Sequence, residues 1–395
     1  MSIVIHNGTH TTIAGFSQVD MPQLLCSSSY TKRPDGSLDF DTDEILNGPE
    51  TPIFTIMSTD GTPYDWEALE KQWKWIVETK LGAKLEETPL VVTVAPDITK
   101  ETKNQYLELA LGRLKVPVFQ MVLEPLAVSL SLGRNTALVV DIGAAKTTVT
   151  PVIEGTILSS AAIRSRFAGD FLDFQVYETL KKRAFPEEEE SSSACPSFTA
   201  WHNSHTWIQE FKAYMLQASP SKLQEMDSAT ADILGLNVVK NFLYKKHKTV
   251  TLTQKDCCSI TEGIFQPSTA SSQFSNEEGL SNIVAKAVKK AGASTAQSAS
   301  AANVTSAEQI HTALLTNIII TGSSSLIAGL EQRVVNDLSY QFPQYKLSSF
   351  ANPLVLDRKL QSWHGGVTMA NLPSWDLGDW VSRKDFQSSA DDEQY

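Results

Sequence analysis

The chain has 395 residues, of which 42% are hydrophobic and 20% are charged. This is the composition of an ordinary globular protein, and the length exceeds the ~250 to 300 residues at which one core stops growing, so we expect two lobes. The formal net charge is −12. It argues against direct, sequence-independent nucleic-acid binding, because such binding draws its affinity from cationic contacts to phosphates.

The cysteines and the N-terminus indicate the kind of compartment. Cys26, Cys195, Cys257 and Cys258 form no CxxC pair and have no metal-ligand spacing. We therefore expect no metal site and a reduced intracellular compartment. The first residues, MSIVIHNG, have neither a basic region nor a long apolar core, and no run of ~18 apolar residues occurs in the chain. The sequence thus predicts neither a secretory signal nor a membrane-spanning helix.

The first predicted element is a β-hairpin over Ile3–Phe16, IVIHNGTHTTIAGF, with His6 and Gly8 near its turn. Residues Ser27–Glu50 have no sustained apolar period and predict a small, loosely built excursion. Asp65 can cap a helix whose apolar residues fall at helical spacing as far as Leu81. Strands and helices then alternate, which favours a partly parallel sheet: strand Leu90–Val94, helix Thr102–Leu114, strand Val116–Met121 and a helix that begins after Pro125.

A second predicted hairpin, Thr136–Gly155, repeats the first one. Its apolar run ends at Asp141, turns through Gly143 and resumes as an alternating Thr/Val run. The duplication independently predicts two lobes. The elements predicted after it are a strand or loop at Ile163–Phe167, helices at Gly169–Lys182 and His202–Leu216, a strand-rich segment at Asn241–Leu252, a strand at Asn317–Thr321, and helices at Leu330–Phe342 and Trp363–Leu372.

Two segments of the second half are too polar or too small-chained to pack a core. Phe185–Ser197 is acidic and serine-rich, which is typical of a solvated loop or a phosphorylation site. Gly292–Ser306, GASTAQSASAANVTS, is low in complexity. Both are predicted to be flexible insertions.

The two hairpins and a third loop, GSSS, after a buried strand suit a nucleotide held in a cleft, because turn amides can cradle phosphates and a nearby acid can hold the water shell of Mg²⁺. These stretches resemble the actin family. Ile3–Phe16 is similar to its first phosphate loop, Val139–Thr148 to its second, and Ile318–Gly329 to its adenosine loop. DWEALEKQW, IFQPS and SWHGG are also actin-like, so the resemblance spans nearly the whole chain.

The resemblance implies an α/β fold of the actin, Hsp70 and sugar-kinase type, which is a duplicated ribonuclease H-like fold with two lobes around a central cleft. The first lobe is expected at residues 1–132 and 360–395, with a small excursion at 27–56. The second lobe is expected at 133–359, with an outer part at 168–268 and the flexible insertions at 185–197 and 292–306.

For the nucleotide pocket the resemblance implies cofactor contacts from six residues: Gly8, Thr9, Asp141, Gly143, Lys212 and Gly322. The sequence departs from actins at other pocket positions. His6 stands where actins carry an acid, Ile13 where they carry a phosphate-binding lysine, Ala144–Ala145 where they carry Asp-Gly, and Ser323 where they carry a second glycine.

These departures weaken the expected hold on Mg-ATP. A histidine does not reproduce the hold of a carboxylate on Mg²⁺-bound water. Three lost electrostatic contacts of ~1.5 to 3 kcal/mol each would weaken binding by several orders of magnitude if they were additive. We therefore expect no required cofactor, at most weak ATP binding, and no efficient turnover.

Three pocket residues allow two interpretations each. Glu124 stands where a glutamine orients the attacking water in actins, so it is either a vestigial catalytic candidate or an acid favoured by the positive end of the helix dipole. Asp141 is either a pocket residue or the cap of its turn. Lys212 matches an adenine-side lysine, and the alternative is an ordinary surface residue.

In actins, the end of the cleft opposite the nucleotide takes an amphipathic helix from a partner. Glycines there let a helix approach the backbone, and apolar side chains supply a floor for anchors at helical spacing. The alternative is ordinary core that packs the hinge. The matching positions, here called the helix groove, are Leu130, Gly133, Asn135, Gly155, Thr368, Met369, Leu372 and Ser374.

Within the family, VIHNGTH, FAGDFLDFQV, AKAVKKAGAS and TMANLPSW resemble actin-related subunits of fungal SWI/SNF- and RSC-type chromatin remodellers. The resemblance implies a non-catalytic nuclear subunit that regulates transcription, with no membrane contact and only indirect contact with nucleosomal DNA. It implies three partners: actin-related protein 9, the helicase/SANT-associated helix of the motor ATPase, and a small accessory subunit. The alternatives are an active ATP-hydrolysing enzyme of the same fold and a filament-forming actin.

Overall fold

The computed structural model describes residues 1–41, 52–184, 198–244, 248–297, 306–350, 355–372 and 380–392. The chain divides into two compact units. Unit 1 comprises Met1–Arg134, Cys195–Ser204 and Leu360–Tyr395, and unit 2 comprises Asn135–Ala194 and His205–Lys359. None of the helices in the described ranges combines the length and the apolar character that crossing a bilayer requires.

Unit 1 is built on a six-stranded mixed sheet. The predicted first hairpin is confirmed as β1 (Ile3–Asn7) and β2 (Thr11–Phe16), and β1 also pairs in parallel with β7 (Leu90–Val94). The other strands of unit 1 are β3 (Leu24–Ser27), β4 (Ser29–Lys32), β5 (Leu38–Asp39), β6 (Ile53–Thr55), β8 (Val118–Leu123) and β17 (Trp380–Ser382). The order across the main sheet is β17-β8-β7-β1-β2-β3, and β5-β4-β6 form a separate small sheet.

Unit 2 has its own main sheet around the second hairpin, which is confirmed as β9 (Ala137–Ile142) and β10 (Thr147–Ile153). β15 (Ile318–Thr321) pairs in parallel with β9, so that Thr321 lies opposite Asp141. The sheet is completed by β11 (Thr156–Ile157), β12 (Ile163–Ser165) and β16 (Ser349–Phe350). A separate two-stranded hairpin consists of β13 (Val239–Tyr244) and β14 (Lys248–Thr253).

Helices pack around these sheets. The first begins where the Asp65 carboxylate accepts from the Ala68 N–H, as predicted, and it continues to Lys80 as a π-helix. The α-helices are α1 (Trp66–Lys74), α2 (Lys100–Leu107), α3 (Glu124–Ser131), α4 (Gly169–Ala184), α5 (Phe198–Ser204), α6 (Trp207–Met215), α7 (Ser228–Ile233), α8 (Gln254–Phe265), α9 (Leu280–Gln297), α10 (Ala307–Leu315), α11 (Leu330–Gln341), α12 (Val355–Ala370) and α13 (Arg383–Asp392).

One predicted helix is wrong: the segment His202–Leu216 forms two helices, α5 and α6. The break falls at His205, whose ring packs edge-on against Tyr177 with centroids 5.1 Å apart. His202, by contrast, stacks on His10 of unit 1 at 4.1 Å. His202 thus packs within unit 1, whereas His205 packs within unit 2. These tertiary contacts override the helical pattern of the sequence.

One part of the predicted insertions is helical rather than flexible, and the other parts lie outside the described residues. α9 continues to Gln297, so the start of the predicted insertion at Gly292 is helical. The small side chains there let α10 come close, because a Cβ on Gly292 would overlap the ring of His311. Residues 185–197 and 298–305 lie outside the described ranges, as do residues 42–51 of the predicted excursion.

The second half of the chain contains a buried ionic cluster centred on Arg333 of α11. Its guanidinium donates to Glu262 Oε1 at 2.8 Å and to Asp337 Oδ2 at 2.9 Å. It also donates to the main-chain oxygens of Ser219 and Ser221. Arg333 and Glu262 are both buried. Loss of the cation would leave the glutamate as an uncompensated buried charge.

We expect Arg333→Met to lower the free energy of unfolding by roughly 3 to 5 kcal/mol, because it leaves the buried Glu262 carboxylate without its cation. Urea denaturation of the full chain measures the loss. The control is Lys71→Met, which breaks an exposed ion pair with Glu67 and should cost under about 1 kcal/mol. Equal losses for the two variants would contradict the assignment.

His311 should make stability depend on pH. Burial lowers the pKa of its imidazole from the ordinary value of 6.5, so the unfolded chain takes up the proton first as pH falls. The folded state therefore loses stability below pH ~6.5, down to the lowered pKa. We expect His311→Leu to flatten this part of the stability profile, measured by melting temperature between pH 8 and 5. An unchanged slope relative to the wild type would contradict the role of His311.

Candidate functional site

In unit 1, polar residues meet where parallel strands end. The register of β1 and β7 places His6 beside Thr93, and β8 ends immediately before Glu124. His6 Nδ1 lies 2.8 Å from Thr93 Oγ1 and 3.6 Å from Glu124 Oε1. The His6 and Glu124 side chains are only 14% and 17% exposed. His6 stands where actins carry an acid, and it therefore contacts Glu124, the vestigial catalytic candidate.

The turn of the first hairpin is held by buried side chains behind it. Asn7 Nδ2 donates to Thr12 Oγ1 at 2.9 Å. The Ser28 hydroxyl lies 2.8 Å from Thr12 Oγ1 and donates to the Gly8 carbonyl at 2.6 Å. The predicted cofactor contacts Gly8 and Thr9 lie on this turn. Its shape is thus fixed by hydrogen bonds within unit 1.

Two further residues of the first hairpin are engaged in packing. Ile13, which stands at the predicted lysine position, is buried in an apolar cluster with Val4 and Trp363. The ring of His10 stacks on His202 of α5 with an interplanar angle of 5°. β2 therefore contributes hydrophobic core at the position where actins are expected to carry a cation.

In unit 2, Asp141 lies against the loop that follows β15. Gly322 has φ +88°, and a Cβ there would overlap the Asp141 carboxylate and the Ile142 carbonyl. Only glycine combines that backbone conformation with so close an approach. The predicted cofactor contacts Asp141 and Gly322 are therefore neighbours at one edge of the unit 2 sheet.

The second loop has its carbonyls occupied by residues of the same unit. The Gly143 carbonyl accepts from the Ser324 hydroxyl at 2.9 Å and from the Gly169 N–H at 3.1 Å. The Ala144 carbonyl accepts from the Asp170 N–H at 2.8 Å. The start of α4 and the third loop therefore cap the second loop. The sequence did not predict the role of Ser324, because a hydroxyl in a Ser-rich loop carries no distinguishing signal.

Lys212 is largely buried rather than on the surface. Its Nζ lies 2.6 Å from Asp173 Oδ1 and 3.3 Å from the Gly169 carbonyl, and the Asp173 side chain is 2% exposed. Gln209 donates to the other carboxylate oxygen at 2.8 Å. The surface-residue interpretation is wrong, and the lysine charge is neutralised between α4 and α6.

The helix-groove residues of unit 1 divide into core and open positions. Met369 is buried, and Leu130 and Leu372 pack partly buried against the same cluster. The Thr368 hydroxyl donates to the His364 carbonyl. Gly133 is exposed at φ +65°, and no atom lies within 4 Å of the point that a Cβ would occupy. Met369 therefore belongs to the core, while Gly133 leaves room above the backbone.

Two of the helix-groove residues lie in unit 2, where Asn135 precedes β9 and Gly155 follows β10. The Gly155 N–H donates to the Asn135 carbonyl at 2.6 Å. Gly155 has φ +76° and nothing within 4 Å of a Cβ position. Gly155 therefore leaves room above its backbone, as Gly133 does. Ser374 lies outside the described residues.

The described residues offer neither a metal cluster nor a reactive thiol. Across them, no group of three or more His, Cys, Asp and Glu side chains is placed to hold a metal ion. Cys26, Cys257 and Cys258 are buried. Burial raises the pKa of Cys26 to about 12 and that of Cys257 to about 11, which makes these thiols weak nucleophiles.

Comparison with known proteins shows the family. The family model described as Actin matches residues 1–392. The chain is 41% identical to actin-related protein 7 of Saccharomyces cerevisiae over 98% of this chain and 95% of the relative. It is 27% identical to actin-related protein 4 of Yarrowia lipolytica, with 99% and 94% covered, and 25% identical to that of Eremothecium gossypii, with 98% and 94% covered. The chain belongs to the actin family, and the predicted actin-type α/β fold is confirmed.

Proposed function

We propose that this protein is a non-catalytic, actin-related structural subunit of an ATP-dependent chromatin-remodelling complex in the nucleus, where it regulates transcription. It pairs with a second actin-related protein, actin-related protein 9, and binds the helicase/SANT-associated helix of the motor ATPase. The contact of His6 with Glu124 is the observation that carries the non-catalytic part of the proposal. The similarity of the chain to actin-related protein 7 supports the subunit role.

The contacts of the pocket side chains oppose turnover. A base must reach the attacking water, yet Glu124 Oε1 lies 3.6 Å from the His6 imidazole. Ile13 packs in the core and offers no cation to a phosphate, and Lys212, the match to an adenine-side lysine, is paired with Asp173. The residues present therefore fit Mg-ATP poorly, and no catalytic step is assigned to them.

The open glycines favour helix binding. Gly133 and Gly155 each have room for an approaching backbone, and the partly exposed Leu130 and Leu372 add apolar surface in unit 1. Met369 supports this surface from the core. An amphipathic helix would bind the unit 1 surface through anchors at i, i+3, i+4 and i+7.

Restoring acids to the pocket should restore nucleotide affinity. We expect His6→Asp combined with Ala144→Asp to tighten Mg-ATP binding by at least ~10-fold over the wild type, because each carboxylate adds a charged contact of ~1.5 to 3 kcal/mol. Calorimetric titration measures the change, and His205→Asp, the same substitution at another site, is the control.

Two results would contradict this part of the proposal. One is Mg-ATP hydrolysis by the wild type that Glu124→Ala abolishes, which would favour the active-enzyme alternative. The other is an affinity that the double variant leaves unchanged.

Filling the space at Gly133 should block the partner helix. We expect Gly133→Arg to reduce capture of the motor ATPase helix by at least ~10-fold, because the side chain fills the space that the helix needs. The control is Gly82→Arg: Gly82 has the same φ of +65° and an equally open Cβ position, but lies at the C-terminal end of the first helix. Pull-down and circular dichroism measure binding and folding. Retained binding by a folded Gly133→Arg variant would contradict the groove.

A further inference from the structure

Over residues 280–292, the exposed face of α9 consists of lysines alone. Every residue in this stretch is buried except the half-buried Asn282 and the exposed Lys286, Lys289 and Lys290. The three lysines are spaced at i, i+3 and i+4, so they lie side by side on one face of the helix. We define them as the lysine stripe.

The buried side of α9 holds the stripe in a fixed direction. Val284, Ala287 and Val288 are completely buried, and the helix packs against β10, β12 and α10. The Nζ atom of Lys289 lies 5.7 Å from the centroid of the Phe342 ring, which is within the range of a cation–π contact. The stripe is therefore presented by a packed helix rather than by a loop.

The lysines of the stripe lack the acids that pair with lysines on α1. There, Lys71 Nζ lies 2.6 Å from Glu67 Oε1, and Lys74 Nζ lies 2.8 Å from Glu70 Oε1. The sequence of α9, LSNIVAKAVKKAGASTAQ, contains three lysines and no aspartate or glutamate. None of these lysines forms an ion pair with a residue that the structure describes. The positive charge of the stripe is thus left uncompensated.

The spacing within the stripe makes this lack of acids unfavourable. Lys286 stands three residues before Lys289 and four before Lys290, and like charges at such spacings destabilise a helix. The chain as a whole has 45 acidic residues against 33 Lys and Arg, so an acid-free helix does not follow from its composition. The folding of unit 2 therefore leaves the stripe unexplained. Negative charges from outside the chain would relieve the repulsion.

We propose that the lysine stripe binds an acidic peptide segment of a partner protein, in which glutamate or aspartate side chains recur at helical spacing. Carboxylates at i, i+3 and i+4 of a helix extend over about 6 Å, the same length as the stripe, because both helices rise by ~1.5 Å per residue. A single exposed ion pair contributes little, whereas several neighbouring pairs form a network. Such complementary charges mainly give specificity and fast association.

Charge favours a short acidic segment over the other polyanions. A DNA duplex carries one negative charge per ~1.7 Å and binds through many cationic contacts, whereas the stripe offers three. The net charge of −12 repels a long polyanion or a second copy of this chain from the rest of the surface. None of the three lysines belongs to the helix groove, so this proposal is independent of the proposed function.

Binding of an acidic peptide to the full-length chain tests the proposal. The probe is a fluorescein-labelled helical peptide with glutamates at i, i+3, i+4 and i+7, and its matched control carries glutamine at those positions. At low ionic strength, we expect the glutamate peptide to bind at least ~10-fold more tightly than the glutamine peptide, measured by fluorescence anisotropy. Failure of the glutamate peptide to bind, or equal binding of the two peptides, would overturn the proposal.

Removal of the lysines tests whether the stripe is the binding site. A variant that combines Lys286→Gln, Lys289→Gln and Lys290→Gln should bind the glutamate peptide at least ~10-fold more weakly than the wild type, because it loses three neighbouring charges. Circular dichroism checks that the variants fold. Equal losses in this variant and in its control would contradict the assignment. The control removes the same number of charges, by substitution with glutamine, at three paired lysines of unit 1: Lys71, Lys74 and Lys84.

Zero-length cross-linking locates the contact and distinguishes the other ligands. A carbodiimide joins a lysine amine to a carboxylate in contact with it, so mass spectrometry should find the glutamate peptide attached to the stripe. Attachment mainly to other lysines would overturn the proposal. Tighter binding of a short DNA duplex than of the glutamate peptide, or self-association of the wild type that the stripe variant abolishes, would overturn it as well.

Discussion

The placement of residue 6 beside Thr93 and Glu124 is the constraint on which the first loop depends. The parallel pairing of β1 and β7 places position 6 beside Thr93, whatever side chain stands at position 6. Whichever residue stands at position 6 then decides what Glu124 faces. With a histidine there, the carboxylate has an imidazole nitrogen 3.6 Å away. The polar side chains at this strand edge therefore contact one another.

In unit 2, the polar groups of the second hairpin are likewise paired with other residues of the same unit. The Gly143 carbonyl is capped by Ser324 and Gly169, and Lys212 is neutralised by Asp173. Buried polar groups must find partners, and in unit 2 they find them within the unit. Hydrogen bonds within each unit therefore help to hold both hairpin turns in shape. A protein of this kind can keep the actin fold for the surfaces it presents.

The sequence predicted the parts whose signals are local. Apolar runs that end in a polar residue and a glycine gave both hairpins, and Leu90–Val94 was predicted to the residue. Contacts between distant residues could not be predicted in this way. The helix break at His205 depends on Tyr177, and the buried state of Lys212 depends on Asp173. β17 and α13 were missed because WVSRKDFQSS has neither a clear period of two nor a strong helical stripe.

We propose that this actin fold does its work without a bound nucleotide. The most direct measurement is the melting temperature of the full-length wild-type chain with and without ~1 mM Mg-ATP, because a ligand that binds the folded state raises it by mass action. We expect no measurable shift in the melting temperature. A rise of several degrees, abolished by Asp141→Ala, would contradict it.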